Sequence, residues 1–271
     1  MIISHFQPSN ITKCLVFAFY GIGDAISHYF PLCKILKKEG KHIEVFTRGK
    51  ECYFLATCLP YVDKISYFNK LTDITSKFLN SFDEIYYLST DKNALNEFKI
   101  KPGKLINNLN NINYRQYCPI WRLQIGNKQF SPDDLLFEMS WFEHYYKDFK
   151  CGDNTVVFNP FASNPTRTYS CYKQVKSMLE YYGFDVRLID FNEDIRTNIF
   201  LIKQAKYILT TDTSTLWIAK AISHPHIYCF RTDLGSFSEI KLGVPHLLQK
   251  KCYIDMISPE EIVQGFFKKI Y

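Results

Sequence analysis

KYILTTDTSTLWIAKAI, Lys206 to Ile222, reads as a buried strand (Tyr207 to Leu209), a hydroxyl-rich turn, and a helix beginning near Ser214. Five consecutive residues, Thr211, Asp212, Thr213, Ser214 and Thr215, place oxygen side chains where strand becomes helix. A helix start leaves amide N–H groups without intrahelical partners and carries the positive end of the macrodipole, so such a turn suits an anion. Thr, Asp and Ser are also the ordinary N-caps, and on this stretch alone a plain cap is the simpler account.

Working outward, the same strand–turn–helix rhythm recurs through most of the chain. Cys14 to Phe19 is a continuous apolar run, the pattern of a strand covered on both faces. Gly21-Ile22-Gly23-Asp24 is expected to make a tight turn into a helix from about Ala25 to Lys38, closed by Gly40. Strands are expected at His42 to Phe46, Asp63 to Phe68 and Phe82 to Leu88, with helices at Glu51 to Leu59 and Leu71 to Leu79. Lys92 to Asn127 reads as irregular, and Ser131-Pro-Asp-Asp134 opens a helix running to about Phe149.

A second alternation follows a polar hinge at Cys151 to Asn154. Strands are expected at Thr155 to Phe158, Asp185 to Ile189 and His226 to Phe230, with helices at Cys171 to Tyr182 and Ile195 to Ala205. Ser258-Pro-Glu-Glu261 is a capping box that starts a closing amphipathic helix to Ile270. Alternation of this kind implies α/β architecture with parallel sheets, in which ligands lie beyond the carboxyl ends of the strands.

Composition narrows the function classes. The 271 residues suffice for two ordinary domains, and 46% hydrophobic residues argue for packed cores. Nine cysteines without a CxxC pair fit reduced thiols, and no His partner gives Cys52 and Cys58 a zinc spacing. No apolar run reaches the roughly twenty residues needed to span a bilayer, so the expectation is a soluble, cytoplasmic protein. The net charge of +6 lacks a dense Lys/Arg stripe, which argues against nucleic acid as a partner. It suits an anionic substrate or peripheral contact with an acidic membrane surface.

Three constellations carry candidate chemistry. Gly21-x-Gly23 lacks the third glycine of a dinucleotide fingerprint, because Ile26 stands there. Asp24, at the strand's carboxyl edge, either caps its helix or faces a ligand. Arg167, in a loop after the first strand of the second half, is either a surface cation or a diphosphate clamp. His224 and His226 flank Pro225 with no third metal ligand beside them, and no Asp-x-Asp pair occurs to bridge a metal to a diphosphate.

Taken together, Tyr20-Gly-Ile-Gly-Asp24-Ala-Ile26, Asp212-Thr-Ser214 with Ile218-Ala-Lys-Ala221, and the closing Ser258-Pro-Glu-Glu-Ile-Val263 helix resemble motifs of glycosyltransferase family 9. That family comprises the ADP-heptose:lipopolysaccharide heptosyltransferases. The resemblance implies a GT-B-like fold, two Rossmann-like domains facing a central cleft. Residues 1–150 would form the acceptor-side domain and residues 151–271 the donor-nucleotide-binding domain, with the last helix packing back on the first. It implies an inverting, metal-independent transferase with no cofactor, moving a heptose-like sugar from a nucleotide-sugar donor to an anionic glycan or glycolipid acceptor at the inner membrane face. Asp24 would be the catalytic base, and Gly23, Arg167, Thr211, Asp212, Thr213, Ser214 and Thr215 would bind the donor. The chain departs from the pattern at Ser214 (family glycine), Trp217 (histidine), Tyr169-Ser170 (Trp-Pro) and in a short span between Asp190 and Lys206. These departures keep open a catalytically inactive GT-B-like binding or scaffold protein.

Overall fold

In a computed structural model of the chain, residues 11–18, 21–68, 74–87, 98–106, 132–136, 150–163, 165–232, 246–250 and 253–270 are described. The chain divides into two compact units, the described part of the first running to Asp134 and that of the second from Leu135 onward. The segment Cys151 to Asn154, expected as a hinge, lies in the second unit, where a Thr155 N–H to Gly152 O bond leads directly into a strand.

The axis of the first unit is β1 (Lys13–Ala18), whose residues from Cys14 onward are buried on both faces. It pairs in parallel with β2 (His42–Thr47) and β4 (Glu84–Tyr86). Outside these lie β3 (Lys64–Tyr67) and β5 (Leu105–Ile106), giving the parallel order β3-β2-β1-β4-β5. Phe17 meets Phe46 and Tyr87 edge to face at 5.6 and 5.5 Å, joining three strands through one ring. Glu44 is buried within β2 and is tolerated because Ser66 and Lys64 donate to its carboxylate at 2.7 and 3.1 Å.

The Gly21 to Asp24 segment differs from the expected tight turn. Helix α1 (Ile22–Asp24) begins at once, because the Asp24 and Ala25 amides both bond to Gly21 O. Neither Gly21 nor Gly23 adopts positive φ, so no glycine-only conformation is used here. A π-helical segment follows (Ala25–Tyr29), then α2 (Phe30–Lys38). Pro31, which has no N–H and crowds the carbonyl four residues back, falls at that junction, and the wider π turn accommodates it. Gly40, at φ +77°, ends the helix as expected, with Lys41 N–H closing back on Leu36 O. Helices α3 (Lys50–Ala56) and α4 (Ser76–Asn80) are also described in the first unit.

Two of the described strands are not expected from the sequence. β5 is two residues long inside the stretch expected to be irregular, too short for any period to register. β10 (His246–Lys250) forms an edge of the second sheet. Of the helix expected from Ser131 to Phe149, only a 3₁₀ turn at Pro132–Leu135 lies among the described residues up to Leu136.

The second sheet has the parallel order β10-β9-β8-β6-β7, formed with β6 (Thr155–Asn159), β7 (Asp185–Leu188), β8 (Tyr207–Thr210) and β9 (Ile227–Thr232). Between these strands run α5 (Tyr172–Tyr181), α6 (Ile195–Gln204) and α7 (Ser214–Ala221). The closing helix α8 (Pro259–Ile270) buries Ile262, Val263 and Phe266 in the core of this second unit, with Val156, Leu179 and Tyr228. Its apolar stripe is buried against the strands of its own sheet. The capping box is formed, Ser258 N–H to Glu261 Oε2 at 2.9 Å and Glu261 N–H to Ser258 Oγ at 3.2 Å. We expect Ser258→Ala to cost about 1 kcal/mol and Phe266→Ala about 3–5 kcal/mol, read as the shift of the urea unfolding midpoint at constant slope.

Candidate functional site

In the second sheet, β6 lies between β7 and β8, so the chain leaves β6 to one side and returns on the other. A crevice opens beyond the carboxyl ends at such a switch point. The residues at this place are Asn159, last in β6, and Thr210, last in β8, which face each other in register. Thr211 N–H continues the ladder to Asn159 O at 3.1 Å.

Asn159 organises the turn. Its Nδ2 donates to Thr215 Oγ1 at 2.7 Å and to Thr213 Oγ1 at 3.1 Å, while its Oδ1 accepts from Phe161 N–H at 3.0 Å. The last contact fixes the amide's orientation, because a backbone N–H cannot accept. Thr213 Oγ1 also meets Thr210 Oγ1 at 3.2 Å, and Thr210 Oγ1 donates to Thr211 O at 2.9 Å. Thr213 is the N-cap of α7 with extended backbone (φ −140°, ψ −178°), yet its side chain makes no cap hydrogen bond. A plain cap therefore does not describe this stretch. The hydroxyl is turned toward the strands, and the cap leaves the first helix amides to other acceptors.

Arg167, in a 3₁₀ turn at Pro165–Arg167, donates from Nη1 to Asp212 O at 3.1 Å. The loop after β6 is thus tied to the loop after β8, and Arg167 stands at the turn rather than out on the surface. Its loop is held in turn by buried Tyr169, whose hydroxyl donates to Ile257 O at 2.7 Å. Asp212 and Thr211 are buried, whereas Ser214 is half-buried at the helix start. Two residues that sequence reasoning missed belong to this neighbourhood. Asn159 was readable only as the polar end of an apolar strand. Arg231, fully buried near the carboxyl end of β9, gave no local signal at all. Burial foremost, then the Asp212 charge, pushes the Cys229 thiol far above its usual range, while Arg231 pulls the opposite way. Charges of both signs thus act on this one sulfur.

In the first unit, Asp24 follows the carboxyl end of the central strand and is exposed. It stands in the first turn of the helix that begins after Gly21, where a negative charge suits the helix dipole, and it makes no side-chain cap bond to the π segment. It adds to the negative potential at Cys52, whose thiol burial, then Glu51, then Asp24 push up to about 12. His28, another residue absent from the sequence reading, places Nδ1 3.2 Å from Asp24 O. Gly23 is an ordinary helical residue of the same turn. A pocket of about 390 Å³ in this unit is lined by residues including Phe46, Ser66, Tyr67, Phe68 and Phe78, beyond the ends of β2 and β3.

No protein-family model matches the chain. No curated protein matches it by sequence either. Solved structures do match, over nearly the whole chain. A glycosyltransferase family 9 protein from Veillonella parvula aligns at TM-score 0.67 with 10% identity, covering 96% of this chain and 97% of that one. The ADP-heptose lipopolysaccharide heptosyltransferase II of E. coli aligns at TM-score 0.70 with 13% identity, covering 96% and 98%. An E. coli heptosyltransferase solved with ADP aligns at TM-score 0.62 with 9% identity, covering 95% and 100%. The chain has the GT-B-like fold of these glycosyltransferases.

Among the described residues no helix is long and apolar enough to cross a membrane. His224 is a structural residue: Nε2 donates to Ala205 O at 2.9 Å and Nδ1 accepts from His226 N–H at 3.2 Å, a pairing that only the neutral ring satisfies. Burial foremost lowers its pKa below the ordinary value. The unfolded chain then binds the proton more readily, so His224 contributes its full stabilisation above the unfolded pKa of about 6.5. That stabilisation is lost as pH falls below it. We expect the unfolding free energy of wild type minus that of His224→Gln to shrink between pH 7.5 and 5.5, measured by urea titration; a pH-independent difference would uncouple the ring from folding.

Proposed function

We propose that the protein is an inverting glycosyltransferase whose second unit holds the diphosphate of a nucleotide-sugar donor on the turn Thr211 to Thr215. The observation carrying this reading is the Thr213 side chain, which sits at the N-cap and does not cap. The N–H groups of Ser214 and Thr215, at the positive end of the α7 dipole, bind the phosphates. Arg167, anchored by one nitrogen, adds charge to the leaving diphosphate. Asp212 orients the turn through its carbonyl bond to Arg167. The fold shared with an ADP-heptose heptosyltransferase and with a heptosyltransferase solved with ADP supports an ADP-sugar donor, heptose-like in its sugar.

Asp24 acts as general base. An acceptor hydroxyl attacks the anomeric carbon from the face opposite the phosphate, its proton passes to Asp24, and the bond to the phosphate oxygen breaks to release the nucleoside diphosphate. A placed base contributes about 10²–10⁴-fold, and amide donors aimed at developing charge supply further stabilisation. No metal has a role, since Arg167 and the helix start supply the positive charge. The net charge of +6 suits an anionic glycan or glycolipid acceptor of the lipopolysaccharide core type, met at the inner membrane face.

A second reading is a binding protein without turnover. Trp217, at the position of the family's histidine, is buried in the core of the second unit and presents no titratable group. For Asp24→Asn we expect sugar transfer to fall by about two to four orders of magnitude while calorimetric ADP binding persists. Unchanged turnover would remove Asp24 from the mechanism, and ADP binding with no transfer by wild type to lipopolysaccharide core acceptors would favour the second reading.

A further inference from the structure

We propose that Asn159 is a positioning residue of this turn: it holds the Thr213 hydroxyl away from the start of α7 and so keeps the first helix amides open for a diphosphate. The proposal rests on reading the turn as the donor cradle, and one arm of its test is independent of that reading.

Thr213 has what a capping threonine needs. Its backbone is extended, it stands immediately before Ser214, and threonine is a favoured N-cap. In the ordinary arrangement its oxygen would accept from the amide of Thr215 or Leu216, two and three residues on. Here Leu216 N–H reaches the backbone carbonyl of Thr213 instead, at 3.1 Å. The hydroxyl is held by Asn159 Nδ2 at 3.1 Å and Thr210 Oγ1 at 3.2 Å. Asn159 is fully buried and bonded on three sides, with Thr215 Oγ1 on the same nitrogen and Phe161 N–H on its oxygen. It cannot turn away to water without leaving buried groups unpaired. Two arrangements therefore compete for one oxygen. In the first, Thr213 faces the strands and the amides are available to a ligand; in the second, Thr213 caps the helix and occupies the donor that a phosphate oxygen would use. Asn159 selects the first.

The test uses the full chain labelled with ¹⁵N. In ligand-free Asn159→Ala the freed hydroxyl caps the helix, and hydrogen exchange at Thr215 or Leu216 slows by about tenfold, the factor a cap-strength interaction is worth. A merely structural loss would instead speed exchange along all of α7. Unchanged or faster exchange at both amides overturns the proposal, whether or not any nucleotide binds. The second arm is calorimetric titration with ADP. We expect Asn159→Ala to bind about tenfold more weakly than wild type, on the same equivalence. Adding Thr213→Gly, which removes the competing hydroxyl at a position where glycine is well tolerated, restores most of that loss. A double variant weaker than the single one overturns the proposal, because additive damage is what a purely structural Asn159 would give. Wild type that binds no ADP, with slowed exchange in Asn159→Ala, upholds the switch in the turn and refutes the ADP-donor reading.

Discussion

Every pairing among the described residues of both sheets is parallel, from β1 with β2 to β9 with β10. Parallel neighbours require a crossover, so each strand ends at the same edge and hands the chain to a loop there. In each unit the strand that opens the alternation has neighbours on both sides, which puts a switch point beside β1 and another beside β6. Asp24 and Asn159 both occur just where such a strand runs out. Neither position is accidental: loops at that edge are freed from the ladder yet anchored by the strands they leave.

What the second unit adds is a way of turning a common capping sequence into something else. A threonine before a helix normally satisfies the helix itself, and the side-chain oxygen and a ligand oxygen are rivals for the same amides. The buried amide of Asn159 resolves the rivalry by offering the hydroxyl a better-fixed partner inside the strand ends. Arg167 then locks the two loops together through a backbone carbonyl, so its position depends on Asp212 main chain rather than on a titrating group.

The rule of alternation reached most elements of the fold. Strands β1, β2, β3, β4, β6, β7, β8 and β9 coincide with runs read from the chain; those such as β1 and β6 are buried and largely apolar, whereas β3 and β7 are partly exposed and were placed by their spacing between helices. The capping box of α8 was legible residue by residue, since it is made entirely of near neighbours in sequence. β5 and β10 were not legible, being short or peripheral additions whose pairing comes from partners distant in the chain. The π segment after Asp24 was likewise hidden, although Pro31, to which it adjusts, stands in plain view.

The α/β class, the oxygen-rich turn at Thr211 to Thr215, and the candidacy of Asp24 and Arg167 could all be read along the chain, because each is a local pattern of residue types. Three dimensions are needed to see that Thr213 does not cap, that Asn159 holds it, and that Arg231 is buried. Asn159 and Thr213 are separated by 54 positions, and no periodicity or motif connects residues that far apart. The direction in which a hydroxyl turns is set by which donor waits in space, and that donor arrives on another strand.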